Sequence, residues 1–148
     1  MDQLIGYFKQ QLNNKEINVL TLYKRLFNFR NPFVDELADL INKNAFGLIQ
    51  TEPFLNLSSE CIIKLIQNKD FLVPELDIYK AVKNWIDKNK GKCPHDILNQ
   101  IRLELIDVKS LFDIKKDELF DKQLIIDALE KSFENGKLLI INLNKIFK

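Results

Sequence analysis

The 148-residue chain is 46% hydrophobic and 29% charged, a balance that suits a globular protein able to bury a core. Its 22 Lys+Arg against 21 Asp+Glu leave a formal net charge of +1, without the basic excess that a nucleic-acid-binding domain carries. No apolar run approaches the ~20 residues of a membrane span, and MDQLIGYFKQQ lacks the basic, apolar and small-residue blocks of a secretory signal.

With four glycines, four prolines and little alternation, the pattern predicts helix almost throughout. Leu4, Ile5, Phe8 and Leu12 share one face of a first helix over about Gln3 to Leu12, which Asn13-Asn14 ends. Asn18 is a candidate N-cap for a second helix reaching about Asn28, with Val19, Leu22, Tyr23 and Leu26 as its apolar stripe. Asn31-Pro32 opens a third: Asn as N-cap, Pro at the first helical position, where a missing N–H costs nothing. Phe33, Leu37, Leu40 and Ile41 line one face of it. A short helical segment over Asn44 to Gln50 should turn Phe46 and Ile49 inward.

Ser58 can cap a helix Ser59–Gln67, with Glu60 in its first turn and Cys61, Ile62, Leu65 and Ile66 on one face. Asn68-Lys69-Asp70 breaks it. Pro74 then opens a helix to Lys88 in which Ile78, Val82, Trp85 and Ile86 recur at i, i+4, i+7 and i+8, the cleanest amphipathic pattern in the chain. Gly91 to Pro94 reads as a turn. A helix from Asp96 to Ile106 should bury Ile97, Leu98, Ile101 and Leu105. Asp107 can cap Val108–Ile114. Asp121 can cap the last clear helix, with Ile125, Ile126, Leu129 and Phe133 as its stripe and Gly136 as its stop. The tail Leu138–Lys148 fits helix or strand. The fold class predicted is all-α: stacked helical hairpins, as in a short α-solenoid or a bundle.

Chemistry is hard to find in these residues. Cys61 and Cys93 form no CxxC pair, and one histidine, His95, gives too few soft ligands for a structural zinc site. Cys93-Pro-His95 puts a thiol and an imidazole on one turn, but no third group orients them. The glycines are isolated, so no phosphate cradle is expected. Neither a cofactor nor a metal is expected, and an intracellular, reducing, cytoplasmic setting is the simplest reading. The sequon Asn56-Leu-Ser58 should then go unused, and Lys116-Asp-Glu-Leu119, being internal, has no targeting meaning.

One stretch carries a resemblance. Phe54-Leu-Asn-Leu-Ser58, Val73-Pro-Glu75, Ile78-Tyr79, Ala81-Val82, Trp85-Ile86 and Ile101-Arg-Leu103 resemble the BACK domain, the helical module that follows the BTB domain in BTB–Kelch proteins. Phe54, Glu75, Trp85 and Arg102 fall at the family's marked places. Upstream, Phe8-Lys-Gln-Gln-Leu12 and Asn18-Val-Leu20 resemble the end of the last BTB helix and the linking pair called the three-box. The resemblance runs from about Phe8 to Leu129. Glu104 stands where members commonly have Pro, and Pro74 where they often have Ser. The BTB body would lie before Met1, and no Gly-Gly of a Kelch blade follows Gly136.

The resemblance implies three parts: 1–53 as the end of a BTB-type helix plus three-box, 54–135 as a BACK-like domain, and 136–148 as a tail that could begin a following domain. It implies a non-enzymatic adaptor that spaces a cullin-binding region from a substrate-recruiting domain in cullin-dependent ubiquitylation. The partner implied is the N-terminal domain of a cullin, cullin-3 in the parent family, met by the helices from Gln3 to Lys43. Phe27, Phe29 and Phe33 are the candidate contact residues; the competing reading is core packing, the commoner fate of aromatic residues at helix ends. Trp85 is expected in the core and Glu75 in a structural role. Arg102 fits either an inter-helix ion pair or a solvated surface. Without the BTB dimer helix a monomer is expected. The alternative function is a truncated relative that acts as a competitor or structural spacer and recruits no cullin.

Overall fold

The computed structural model describes residues 18–29, 31–89 and 95–146, with side chains as far as 136. The expected helix Gln3–Leu12, the Gly91–Pro94 turn and Cys93 lie outside these residues. The chain divides into two compact units, one up to Gln100 and one from Ile101. Among the described residues there is no strand, and the all-α expectation holds.

The first unit holds α1 (Val19–Asn28), α2 (Phe33–Lys43), α3 (Ala45–Leu48), α4 (Glu52–Leu55), α5 (Ser59–Ile66), α6 (Glu75–Lys88) and α7 (His95–Leu98). Local chemistry sets most of these ends. Asn18 is extended (ψ 128°), and its Oδ1 accepts the N–H groups of Leu20 and Thr21 at 2.9 and 3.4 Å. Such a cap stabilises a helix by about 1 kcal/mol. Asn31 Oδ1 accepts the Phe33 N–H at 2.9 Å, so Asn31 caps α2 and Pro32, already helical at φ −56° and ψ −24°, fills its first turn. Ser58 Oγ accepts the Cys61 N–H at the start of α5. Two stretches differ from the sequence expectation. Leu20, outside the predicted stripe, is fully buried, because α1 is covered on a wider face by α2 and α4. Phe46 is 52% exposed, because Ala45 and Ile49, four apart, take the inner face of α3.

The core of this unit gathers on α6. Ile78, Tyr79, Ala81, Val82 and Trp85 are buried, and α6 packs on α4 and α7. Before it, residues 71–75 alternate: Phe71, Val73 and Glu75 are buried while Leu72 and Pro74 are exposed, the mark of extended backbone against a core. The C-terminal end of α6 fastens the Glu52–Leu57 turn. Trp85 is 2% exposed, and its indole Nε1–H donates to the Leu57 carbonyl at 2.9 Å. Asn89 Nδ2 donates to the carbonyls of Leu55 (3.1 Å) and Trp85 (2.9 Å). Lys88 Nζ donates to Asn56 Oδ1 at 3.1 Å and pairs with the Glu52 carboxylate. From α1, Lys24 Nζ donates to the Asn56 carbonyl.

The second unit holds a 3-10 turn (Leu103–Leu105), α8 (Val108–Lys116) and α9 (Lys122–Ile146), and α9 packs on both of the others. The helix expected over Asp96–Ile106 is interrupted after Leu98. Ile101, Leu103 and Ile106 are all buried. On one helix Ile101 and Leu103 would lie about 200° apart, so burying both requires the chain to leave the helix. It has done so from Asn99 on, and Arg102, at φ −86° and ψ 84°, is still non-helical; Leu105 is left exposed. Asp107 Oδ1 caps α8 through the Ser110 N–H at 3.0 Å, and Asp121 Oδ1 accepts the Gln123 N–H at 2.7 Å before α9. Gly136 does not stop α9, which runs on to Ile146. A mid-helix glycine costs about 1 kcal/mol, too little to end a helix whose next residues favour continuing it. Of the predicted stripe, Ile125 is buried and Leu129 half-buried, but Ile126 and Phe133 are exposed; Ala128 supplies the second buried position.

Two predictions follow from this packing. Trp85→Phe keeps most of the apolar volume but leaves the Leu57 carbonyl without its donor, and should destabilise the chain by about 2–3 kcal/mol in urea titrations. Lys88→Ala, at the solvent edge of the same clamp, should cost less than about 1 kcal/mol. The second concerns pH. Hydrogen bonds from Ser110, side chain and then backbone, hold the Asp107 carboxyl below the usual range. A folded value below the unfolded one means that the contribution is present above the ordinary Asp value, about 3.9, and is lost as pH falls through the folded value. Asp107→Asn caps without titrating, so the difference in melting temperature between wild type and variant should shrink as pH drops below about 4.

Candidate functional site

One surface that combines exposed aromatic character with a groove is the corner between α1 and α2. The corner is tight because backbone groups close it: the Phe29 and Asn31 N–H groups both donate to the Leu26 carbonyl, at 3.1 and 3.2 Å. Val34 N–H then donates to the Asn31 carbonyl at 3.0 Å and starts α2. With so few residues to make the turn, Phe29 cannot fold back onto either helix and is 80% exposed. Phe27, in the last turn of α1, stacks obliquely on Tyr23, ring centres 5.8 Å apart.

Phe27 also lines a groove of about 710 Å³. Pro32, Val34 and Asp35 of α2 form one wall, and Ser58, Glu60 and Lys64 of α5 form another. Phe33 is half-buried at the start of α2. The three candidate aromatics therefore occupy three situations: Phe27 in the groove wall, Phe29 in solvent, Phe33 between. Beneath them the Tyr23 hydroxyl is buried and without a hydrogen-bond partner among the described residues. Burial is the main cause that raises its phenol well above the ordinary value, with smaller contributions from Cys61 and Asp35. Burial likewise raises the Cys61 thiol, so Cys61 behaves as a small hydrophobe rather than a nucleophile.

The four motif residues sit elsewhere. Phe54, Glu75 and Trp85 are buried in the first unit, Phe54 and Trp85 at the α4–α6 clamp and Glu75 at the first position of α6. Arg102 is exposed in the second unit. His95 is exposed, and its neighbour Cys93 lies outside the described residues. Among the described residues no three His, Cys, Asp or Glu side chains come together as metal ligands, and no helix is long and apolar enough to cross a membrane.

A second, larger groove of about 1040 Å³ had no counterpart in the sequence reading. Asp39, Asn42, Phe46, Thr51, Asp70 and Leu72 are among the residues that line it. Both polar atoms of the Asn42 amide are buried without a hydrogen-bond partner among the described residues. Its signal in the sequence was the period-2 run Phe71-Leu-Val73 ahead of Pro74, which sets Leu72 opposite its neighbours.

Removing the stranded hydroxyl under the corner should help the fold. Tyr23→Phe deletes a buried polar group that has no partner, and should be neutral or raise stability by up to about 1–2 kcal/mol in urea titrations. A loss of stability would show that the hydroxyl is bonded in solution.

Comparison with known proteins adds the context of this geometry. Residues 33–116 match the model of the BACK family, "BTB And C-terminal Kelch". The chain is 27% identical over 96 residues to human BTB/POZ domain-containing protein 9, covering 64% of this chain and 16% of that protein. The Drosophila melanogaster protein of the same name is 24% identical over 131 residues, 85% of this chain and 18% of its own length. BTB/POZ domain-containing protein 17 of Xenopus tropicalis is 30% identical over 77 residues, 50% of this chain and 16% of its own. The chain thus spans about a sixth of the length of the curated relatives it matches. No solved structure matches it.

Proposed function

The chain belongs to the BACK family, a protein-interaction module of BTB proteins, and from that premise we propose that it serves as an adaptor segment in cullin-dependent ubiquitylation. In this reading it holds a cullin-binding region at a set distance from a substrate-recruiting domain. The relatives' names place a BTB domain in their chains, and a BTB domain beside this module is the context in which the role applies. The reading carries with it an intracellular, cytoplasmic setting.

The observation that supports it most is Phe29. A phenylalanine 80% exposed at a tight, hydrogen-bonded corner, beside a groove walled by Phe27 and Pro32, is available for contact. Its partner in this proposal is the N-terminal domain of cullin-3, met by the corner and the helices leading into it. Aromatic side chains that insert into a partner dominate such interfaces, and the surrounding residues mainly exclude water.

Titration of the folded chain with the N-terminal domain of cullin-3 tests this. Binding is expected in the tens of micromolar, and Phe29→Glu should weaken it at least about tenfold with no change in melting temperature. No binding by the folded chain, restored when a BTB domain is joined to it, would favour the spacer role over the adaptor role. Binding that ignores Phe29→Glu would move the contact away from this corner.

A further inference from the structure

The larger groove of the first unit has a make-up that selects its occupant. Two large apolar side chains line it from separate elements: Phe46 of α3, half exposed, and Leu72 of the extended stretch before α6, 84% exposed. Neither can retreat cheaply. Phe71 and Val73, on either side of Leu72, are buried, so turning Leu72 inward would bring both of them out. Phe46 shares its short helix with Ala45 and Ile49, which already hold the inner face. Single exposed apolar residues are ordinary, but two that line one concavity mark a contact surface.

Charge and backbone narrow the occupant. Asp39 of α2 and Asp70 of the loop after α5 both line the groove, and among the described residues no ion pair holds either carboxylate. Lys43 lines it too, but stands in the last turn of α2, where the helix dipole favours a cation. Two carboxylates beside two apolar side chains fit a cation carried on an apolar segment. Strand addition is not the mode. The Phe71, Leu72 and Val73 N–H groups already donate to the carbonyls of Asn68, Asp70 and Phe71, each at 3.0 Å, so the stretch has no row of donors to offer. The volume of about 1040 Å³ instead holds roughly two turns of an α-helix, each about 10 Å across and 5.4 Å long.

We propose that this groove is a docking surface separate from the α1–α2 corner, and that its occupant is a short amphipathic helix of another protein that carries Lys or Arg beside apolar residues one turn apart. The apolar residues seat on Phe46 and Leu72, and the cation reaches Asp39 and Asp70. Gly47, next to Phe46 on the groove wall, leaves room for such a helix, since a Cβ added there meets nothing within 4 Å. None of these residues lines the groove beside Phe29.

Selection of random peptides of about twelve residues, displayed on phage, against the 148-residue chain tests this. The selected peptides should carry Lys or Arg together with apolar residues at i and i+3 or i+4. Leu72→Ser should weaken their binding at least about tenfold, and Asp39→Asn combined with Asp70→Asn at least about fivefold, with melting temperatures unchanged. Gly47→Gln fills the open wall with a good helix former, so it should weaken binding as Leu72→Ser does while keeping or raising the melting temperature. Phe29→Glu should leave the affinity unchanged, which separates this site from the corner. No selected peptide, peptides without a basic residue, binding indifferent to Leu72→Ser and Gly47→Gln, or binding lost in Phe29→Glu would each overturn the proposal.

Discussion

The hydrogen bond from the Trp85 indole to the Leu57 carbonyl is the constraint on which the first unit depends. It joins residues 28 apart in sequence inside a buried site, where an unpaired carbonyl would cost about 1–3 kcal/mol. Leu57 follows a one-turn helix too short to hold itself together. The fourteen-residue helix α6 supplies what α4 lacks: an indole, an amide and an ammonium that take up its carbonyls and its Glu52 side chain. Because Lys24 of α1 reaches the same turn, the clamp also ties the first described helix to the core. A large aromatic residue with a single donor suits this position, since its area is buried while its one polar atom is used.

The clamp at the core is compatible with the proposed interacting surface lying at the edge. Phe29 and the groove beside it are carried by α1 and α2, whose inner faces are fixed by Leu20, Leu37 and Ile41, all essentially without solvent contact. An exposed ring on a firm support loses little freedom on binding. Phe54, Glu75 and Trp85 of the resemblance are buried, whereas Phe29, the residue proposed to lead the contact with a partner, is exposed. The division suits a module whose shared pattern specifies a fold while its surface specifies partners.

Much of this was legible in the sequence where the deciding physics is local. Asn18, Ser58, Asp107 and Asp121 announce helix starts because a short polar side chain reaches its own backbone N–H groups. The faces of α5 and α6 were legible because strongly spaced aliphatics leave one orientation. Legibility failed where tertiary packing decides. Leu20 looked peripheral because it lies one residue off the apparent stripe, and only the cover from neighbouring helices buries it. The break between Leu98 and Leu103 was hidden because Asp96–Ile106 carries a passable helical period. The competing demand, that Ile101, Leu103 and Ile106 all be buried, belongs to the fold. At Gly136 a stop signal was overruled by the apolar run after it. The corner aromatics were legible as candidates but not in their differences, since exposure at a turn depends on how tightly the two helices close.

The account stands most directly on the clamp, and hydrogen exchange at the Trp85 indole N–H measures it. If the bond to Leu57 holds the unit together, this proton should exchange only when the whole unit unfolds. Its opening free energy should then equal that of global unfolding and fall with urea along the same slope. Exchange through a local opening, faster than global unfolding and indifferent to low urea, would show that the clamp opens while the fold persists, and would contradict the account.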